Sequence, residues 1–563
     1  MELVFDIEAD GLSEVTIDKV PQAEVSRVWC MIVKDLDTQH IHCFREHEIG
    51  QGVELLREAD LIIGHNIVMY DIPVLERFYG SINTRAIDTL IVSRLMYPDI
   101  RNHPLGGNSL QKWGEYLQLY KEQYNLGFDS FTEEMIGYCE QDVILTEAIF
   151  NTQQEFVNSH QLTVRLEHKV SEIIAKQIEN GMGFNIDRAE QLEKEILMER
   201  ADIEDTLCQT FTPITTERWS EKTGKRLKDS VEYFNPNSRQ QIAQRLETKY
   251  GWVAPLTDKG NPKVDEAVLK ALKFPEAKML CRSFEITKLH SMLSDWITRA
   301  NLSRDGRIHG SINPQGAVTG RMTASQPNLQ QVSGDPRARA LFEPRKGWSQ
   351  IGIDASALEA RLLANRMARW DKGEYGNLVI NSDIHVYNQK QAGLANREGA
   401  KTFFYALIYG AGNVKIGQII GKGVGAGASL KKRFLDNMPA LKKLIERCEF
   451  QVADKGTVTL LDGREAPCRS KHSSLNVLIQ GDGAVLMKIA LAYLYKYLAD
   501  HYEDKFAFMA TVHDEWQIEC DPAIAKEVGI AGVEAIKRAG SYLKCEVPMD
   551  GQYRIGRNWS ECH

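Results

Sequence analysis

Gln350-Ile351-Gly352-Ile353-Asp354-Ala355-Ser356-Ala357-Leu358-Glu359-Ala360-Arg361 is the stretch on which the fold turns. An apolar run ends on Asp354, and the Leu358, Leu362, Leu363 spacing that follows is that of the buried stripe of a helix. A strand running out at Asp354 sets one carboxylate at the rim of a sheet, where a metal ion can be held. The other half of such a site lies downstream, in Phe506-Ala507-Phe508-Met509-Ala510-Thr511-Val512-His513-Asp514-Glu515-Trp516-Gln517-Ile518-Glu519. Two apolar or alternating runs flank His513-Asp514-Glu515 there, a hairpin pattern with acidic residues at the bend. Elements about 160 residues apart in the chain meet only inside a large folded core.

Composition agrees with such a core. With 563 residues, 43% of them hydrophobic, the chain has material for more than one domain. Its ten cysteines show no paired metal-ligand spacing and suit a reducing compartment. A net charge of -9 argues weakly against polyanion binding by the whole surface, and leaves room for a local positive groove. No secretory leader is expected at Met1-Glu2-Leu3-Val4-Phe5-Asp6, and no apolar stretch is expected to cross a bilayer.

Residues 1 to about 150 read as an α/β unit. Leu3 to Ile7 is an apolar strand carrying Asp6, and Glu8, two positions on, faces the same side. Asp71 is expected to open a helix after the apolar run Leu61-Ile62-Ile63-Gly64, and Tyr138 and Asp142 share one helix face. Asp6, Glu8, Asp71 and Asp142 are a candidate four-carboxylate set for two divalent ions, which at a separation of ~3.5–4 Å cleave phosphodiesters. Solvent-facing acidic residues would give the same spacing. Tyr138 either orients an attacking water or packs on its helix.

From about 151 to 300 the pattern is mostly helical. Lys222, Lys225, Arg226 and Lys228 form a basic patch, expected on helical hairpins, that suits duplex phosphates or simply solvent. Arg397, Lys401, Tyr405 and Tyr409 recur every four residues along one curving helical stripe, with Phe404 and Leu407 on the buried side. Two cations one turn apart can neutralise a triphosphate, and the two rings beyond them can hold a base; a plain amphipathic helix is the competing reading. Gly421 to Ala428 is glycine-rich without the Gly-Lys-Ser/Thr ending of a P-loop, and is expected as a loop. Asn476 and Gln480 put two amides on a helix near an apolar face, for base contacts or for buried local hydrogen bonds.

The segment from Asp354 to Arg361, the Arg397/Lys401/Tyr405/Tyr409-Gly410 helix and Val512-His513-Asp514-Glu515 together resemble the three polymerase motifs of family A DNA polymerases, those of T-odd, short-tailed bacteriophages in particular. Asp6/Glu8, Asn66/Asp71 and Tyr138/Asp142 resemble that family's proofreading motifs. The resemblance implies an α/β and α+β multidomain chain: a ribonuclease-H-like 3′–5′ exonuclease domain at 1–152, linker helices and thumb at 153–300, palm at 301–366 and 460–563, and fingers at 367–459. It implies template-directed DNA synthesis with proofreading in phage genome replication, a gap-filling or repair polymerase of the same family being the alternative. Asp354 and Asp514, with the Ala355 carbonyl, resemble the ligands of two Mg²⁺ or Mn²⁺ ions, and Glu515 an accessory acid. Glu359 resembles the ribose-excluding residue. His385, Arg397 and Lys401 resemble the triphosphate contacts, Tyr405 and Tyr409 the base-pair platform, and Arg321, Asn476, Gln480 and His513 the primer and minor-groove contacts. Tyr in place of Phe at 405 implies ready use of dideoxynucleotides. The implied partners are primer-template DNA, deoxynucleoside triphosphates, a phage helicase-primase and a single-strand-binding protein, for a monomer in the host cytoplasm. Two departures from the family are expected: no amino-terminal 5′-nuclease domain, and a shortened 142–354 segment without the thumb insertion that recruits thioredoxin.

Overall fold

The computed structural model describes residues 1–10, 25–119, 124, 127–257 and 259–563. It divides into two compact units, one made of Met1–Met182, His309–Gln331 and Pro344–His563, the other of Gly183–Ile308 and Val332–Glu343.

The first unit is organised around its two larger sheets. At the amino terminus, β1 (Glu2–Ala9), β2 (Val28–Asp35), β3 (Ile41–Arg45), β4 (Leu61–Gly64) and β5 (Ala86–Asp88) form a mixed sheet in the order β3-β2-β1-β4-β5. β1 runs antiparallel to β2 and parallel to β4, and is buried along nearly its whole length, as a central strand covered on both faces must be. Helix Glu133–Ser159 closes one face through Met135, Cys139 and Val143. The second sheet is antiparallel: β6 (Ser349–Ala355), β7 (Phe506–Val512), β8 (Glu515–Cys520) and β9 (Gly551–Gly556), in the order β7-β8-β6-β9. A side chain at Gly352 would put its Cβ 2.2 Å from the Cys562 carbonyl, so this glycine lets the carboxy-terminal tail lie on the sheet.

Helix Ser474–Tyr502 packs against helices Gln161–Asn180 and Leu358–Asp371. It is long and apolar enough to cross a membrane, contrary to the expectation from sequence, but 83% of its apolar window is buried inside the protein. A helix apolar on all sides is a core helix when other elements surround it, and Leu478, Leu486, Leu491 and Leu494 all lie in the main core. The run 421–428 also departs from expectation, because helix Val424–Asn437 begins inside it. A Cβ on Gly427 would lie 2.1 Å from the Asn413 carbonyl, so glycine there serves a close helix crossing.

In the second unit, helices Ile186–Thr210 and Pro275–Leu302 run together, joined by Arg282 Nε to Glu199 at 2.7 Å. Ser238 caps helix Arg239–Tyr250 by accepting from the Gln241 N–H. The basic patch Lys222 to Lys228 sits on an exposed β-hairpin, Ile214–Trp219 paired with Arg226–Glu232, rather than on helices. Thr215, Thr216 and Val231 are β-branched residues that outweigh the helical pattern around them.

Candidate active sites

At the end of β6, Asp354 lies opposite Glu515 of β8 on one side and Gln552 of β9 on the other. Gln552 Nε2 donates to Asp354 Oδ2 at 3.4 Å. The β7–β8 turn has only His513 and Asp514 between its strands, and His513 takes the left-handed φ of 57° that primed hairpin turns require. The Ala355 N–H donates to the Asp514 carbonyl at 3.1 Å, which ties the turn to the end of β6. Asp354 and Asp514 are thereby set beside one another. Burial first, then the charges of Asp514 and Glu515, push Asp354 up to about 6. Burial also raises Asp514.

Glu515 is turned elsewhere. It is buried, its Oε1 accepts from Trp559 Nε1 at 2.9 Å and Gln517 Nε2 at 2.5 Å, and its Oε2 lies 2.9 Å from His563 Nδ1. The carboxy-terminal tail thus holds the residue next to Asp514. The ending Asn558-Trp559-Ser560-Glu561-Cys562-His563 also resembles that of the family, but nothing periodic in the sequence ties Trp559 or His563 to Glu515.

The Arg397 stripe lies on helix Arg397–Ile408, with Arg397 and Lys401 exposed, Tyr405 half-buried and Tyr409 at the carboxy-terminal cap. Phe404 and Leu407 are buried on its other side. Asp383 caps helix Ile384–Ala392 and also accepts from Arg397 Nε at 2.6 Å, which brings Arg397 near His385. The His385 imidazole is lowered by burial and then by Arg397, and its Nδ1 is buried without a hydrogen-bond partner among the described residues. The Tyr405 ring lies 5.8 Å from His385 and 6.3 Å from Tyr409. The Tyr409 hydroxyl donates to both Glu359 oxygens, at 3.0 and 2.9 Å, and Arg321 Nη2 reaches Glu359 Oε1 at 3.1 Å. Glu359, in the first turn of helix Leu358–Asp371, is therefore clasped from two sides. Asn476 and Gln480 are half-buried on helix Ser474–Tyr502; Asn476 Oδ1 is buried with no hydrogen-bond partner among the described residues. His513 is exposed at its turn.

In the amino-terminal sheet, Asp6 and Glu8 lie together, and Cys139 joins them: one ligand atom from each falls within 4.8 Å of the others. Cys139 Sγ donates to the Asp6 carbonyl at 3.3 Å. It stands one turn before Asp142 on the same helix, a spacing visible in the sequence. Asp71, the first residue of helix Asp71–Tyr79, accepts from the Ile7 N–H at 3.2 Å. Burial above all, with the charges of Asp88 and Asp142 behind it, pushes Asp71 up to about 7. Asp142 is buried, and the Tyr138 ring packs 5.5 Å from Tyr124.

Residues 206–561 match the family model of DNA polymerase family A. Over 714 aligned positions that span all of both chains, the protein is 31% identical to the DNA-directed DNA polymerase of Enterobacteria phage T3, and 30% identical to that of Escherichia phage T7. Its fold superposes with a TM-score of 0.80 on the POL domain of Pol1 from M. smegmatis in complex with DNA primer-template and dNTP, covering 99% of this chain and 96% of that one at 16% identity. The chain belongs to DNA polymerase family A and is a DNA-directed DNA polymerase of the phage type.

Proposed function

We propose that this polymerase replicates a phage genome in the host cytoplasm, extending primers at the Asp354/Asp514 site and correcting them at the Asp6/Glu8 site. The observation that carries the extension half is the meeting of Asp354 and Asp514 at one end of the antiparallel sheet, each raised by burial. The order β3-β2-β1-β4-β5, with Asp6 and Glu8 on its central strand, supports a ribonuclease-H-like 3′–5′ exonuclease over residues 1–152. The remaining assignments follow the chain: 153–300 as linker and thumb, 301–366 and 460–563 as palm, 367–459 as fingers.

Family A polymerases work with divalent metal ions. Here Asp354, Asp514 and the Ala355 carbonyl would hold two Mg²⁺ or Mn²⁺ ions. Crowded carboxylates raised by burial and mutual repulsion are hard oxygen donors that fit such cations; in the amino-terminal site Asp71 is raised in the same way, and Asp6 and Glu8, close together on β1, with Asp142 would supply the further oxygen donors. When bound, the ions activate the attacking oxygen and neutralise charge on the leaving group.

The chain's own residues do the rest. Arg397, Lys401 and His385 bind the triphosphate, and Tyr405 and Tyr409 support the new base pair. Glu359, fixed by Tyr409 and Arg321, fills the space that a 2′-hydroxyl would need. Arg321, Asn476, Gln480 and His513 hold the primer end on its minor-groove side. Closure of helix Arg397–Ile408 on a correct pair completes the cationic set, and a mismatch leaves it open. A mismatched end melts more easily and reaches the amino-terminal carboxylates as single strand, with Tyr138 orienting the water. Partners are primer-template DNA, deoxynucleoside triphosphates, and a helicase-primase and single-strand-binding protein, without thioredoxin.

The test is synthesis on a singly primed single-stranded circle, alone and with a phage helicase and single-strand-binding protein. Full-circle products are expected. Products that stop after filling a short gap under both conditions would move the protein to gap-filling or repair.

A further inference from the structure

We propose that Asp88, held in place by His168, is the residue that positions Asp71 in the amino-terminal carboxylate site; the inference rests on the excision reading above.

Asp88 is the last residue of β5 and is fully buried. Its carboxylate accepts from four backbone N–H groups: Asn66 at 2.9 Å, Leu90 at 2.9 Å and Ile91 at 3.4 Å on Oδ1, and Val68 at 3.1 Å on Oδ2. Leu90 and Ile91 belong to helix Thr89–Met96, and for them Asp88 is an ordinary cap. Asn66 and Val68 belong to another segment, the coil between β4 and helix Asp71–Tyr79. There Asn66 adopts a left-handed φ of 71°, its carbonyl accepts from the Met69 and Tyr70 N–H groups, and the Ile67 carbonyl accepts from the Ile72 N–H at 2.9 Å. The coil is wound on the Asp88 carboxylate, and Asp71 stands at its end. A cap needs no such second pair of donors, whereas a loop that must deliver the Asp71 carboxylate to the Ile7 N–H, between Asp6 and Glu8 on β1, does.

Asp88 is itself held from behind. Its N–H donates to His168 Nε2 at 2.7 Å, while His168 Nδ1 lies 2.8 Å from the Val164 carbonyl, so Nδ1 carries the proton. The preceding residue on the same helix, Gln161–Asn180, grips elsewhere. Glu167 is fully buried and accepts from Lys488 Nζ at 2.8 and 2.7 Å, Arg464 Nη1 at 2.6 Å and Gln315 Nε2 at 3.0 Å. Through these neighbours the helix is fastened at once to the amino-terminal sheet and to the core around helix Ser474–Tyr502. The place of Asp71 is thus referenced to the extension half of the molecule.

The test uses the full chain with Asp88→Asn, His168→Gln and His168→Leu. An amide at 88 keeps the shape but sets an N–H against one of the loop donors. Gln at 168 can still accept the Asp88 N–H; Leu cannot. For Asp88→Asn and His168→Leu, the expected result is a fall of about tenfold or more in kcat for degrading a single-stranded oligonucleotide, with KM unchanged. Hydrogen exchange of the 64–72 segment should speed by about tenfold, as a loosened outer support predicts, with primer extension kept. His168→Gln should restore both readings. Unchanged exchange and kcat in Asp88→Asn and His168→Leu would overturn the proposal, as would loss of extension together with excision. A wild-type chain that degrades no single strand counts against the excision reading itself, while the exchange measurement still judges the loop.

Discussion

At the end of β6, Asp354 and Asp514 come together because strand register places them there; beside β1, Asp6 and Glu8 depend on a loop and two helices for their companions. In the first case each carboxylate sits on, or one residue from, a hydrogen-bonded ladder that continues whether or not either side chain is present. In the second, Asp71 arrives through a coil whose backbone is pinned by Asp88, and Cys139 and Asp142 arrive on a helix packed from the other side. A site built on register should tolerate loss of a carboxylate without losing shape. One built on a pinned loop should answer to residues that never touch substrate.

The sharpest break of this comparison is Asp354→Ala. Nucleotide addition should fall by at least about a thousandfold with single-strand degradation retained, as measured on a labelled primer, since the removed ligand acts on the reaction rather than the fold. Asp6→Ala should do the reverse, lowering excision by about a hundredfold or more at normal extension rates. Persistent degradation by that variant would remove Asp6 from the site.

The buried ion pair that fastens the helix between the two regions gives a stability effect. Lys488→Met leaves the Glu167 carboxylate with Arg464 as its one remaining cation among the described residues and should cost about 3–5 kcal/mol in chemical denaturation. Glu167→Met added to it should relieve that loss only in part, because Arg464 is then left with Asp462. Burial opposes the charge on Glu167, but Lys488 and Arg464 outweigh it and hold the carboxyl at about 2 against an ordinary 4.5. The unfolded chain therefore binds the proton first. The Glu167 contribution is present above pH 4.5 and is lost as pH falls toward 2, while burial pulls the Lys488 ammonium down, so the pair's net worth is smaller than the carboxyl shift alone suggests. Glu167→Gln should flatten stability over that window. The smallest effect is expected for Glu359→Ala, which should raise ribonucleotide use relative to deoxynucleotide by about tenfold in competing incorporation assays. No change there would detach Glu359 from sugar selection.

Much of this architecture is legible in the chain, and the illegible part has a common cause. Asp354 at a strand end and the apolar runs around His513-Asp514 announce themselves locally, because strand alternation and helix periodicity are short-range signals. The Arg397 stripe and the Asp6/Glu8 pair are legible for the same reason. Lys488 and Glu167 lie 321 positions apart, and each looks like any surface charge until the fold buries them together. Trp559 and His563 meet Glu515 only because β9 returns the tail across the sheet. The hairpin at 214–232 carries its lysines among helices, so the surrounding helical period outvoted its β-branched residues.

The most direct test of the shared-ion claim is a crystal of the protein with primer-template and a matched, non-hydrolysable nucleotide, soaked in Mn²⁺ and read by anomalous scattering. Two peaks within about 4 Å of each other, each touching the carboxylates of both Asp354 and Asp514, are the predicted result. Peaks on one aspartate alone, or the two side chains in separate pockets with no ion in common, would contradict it.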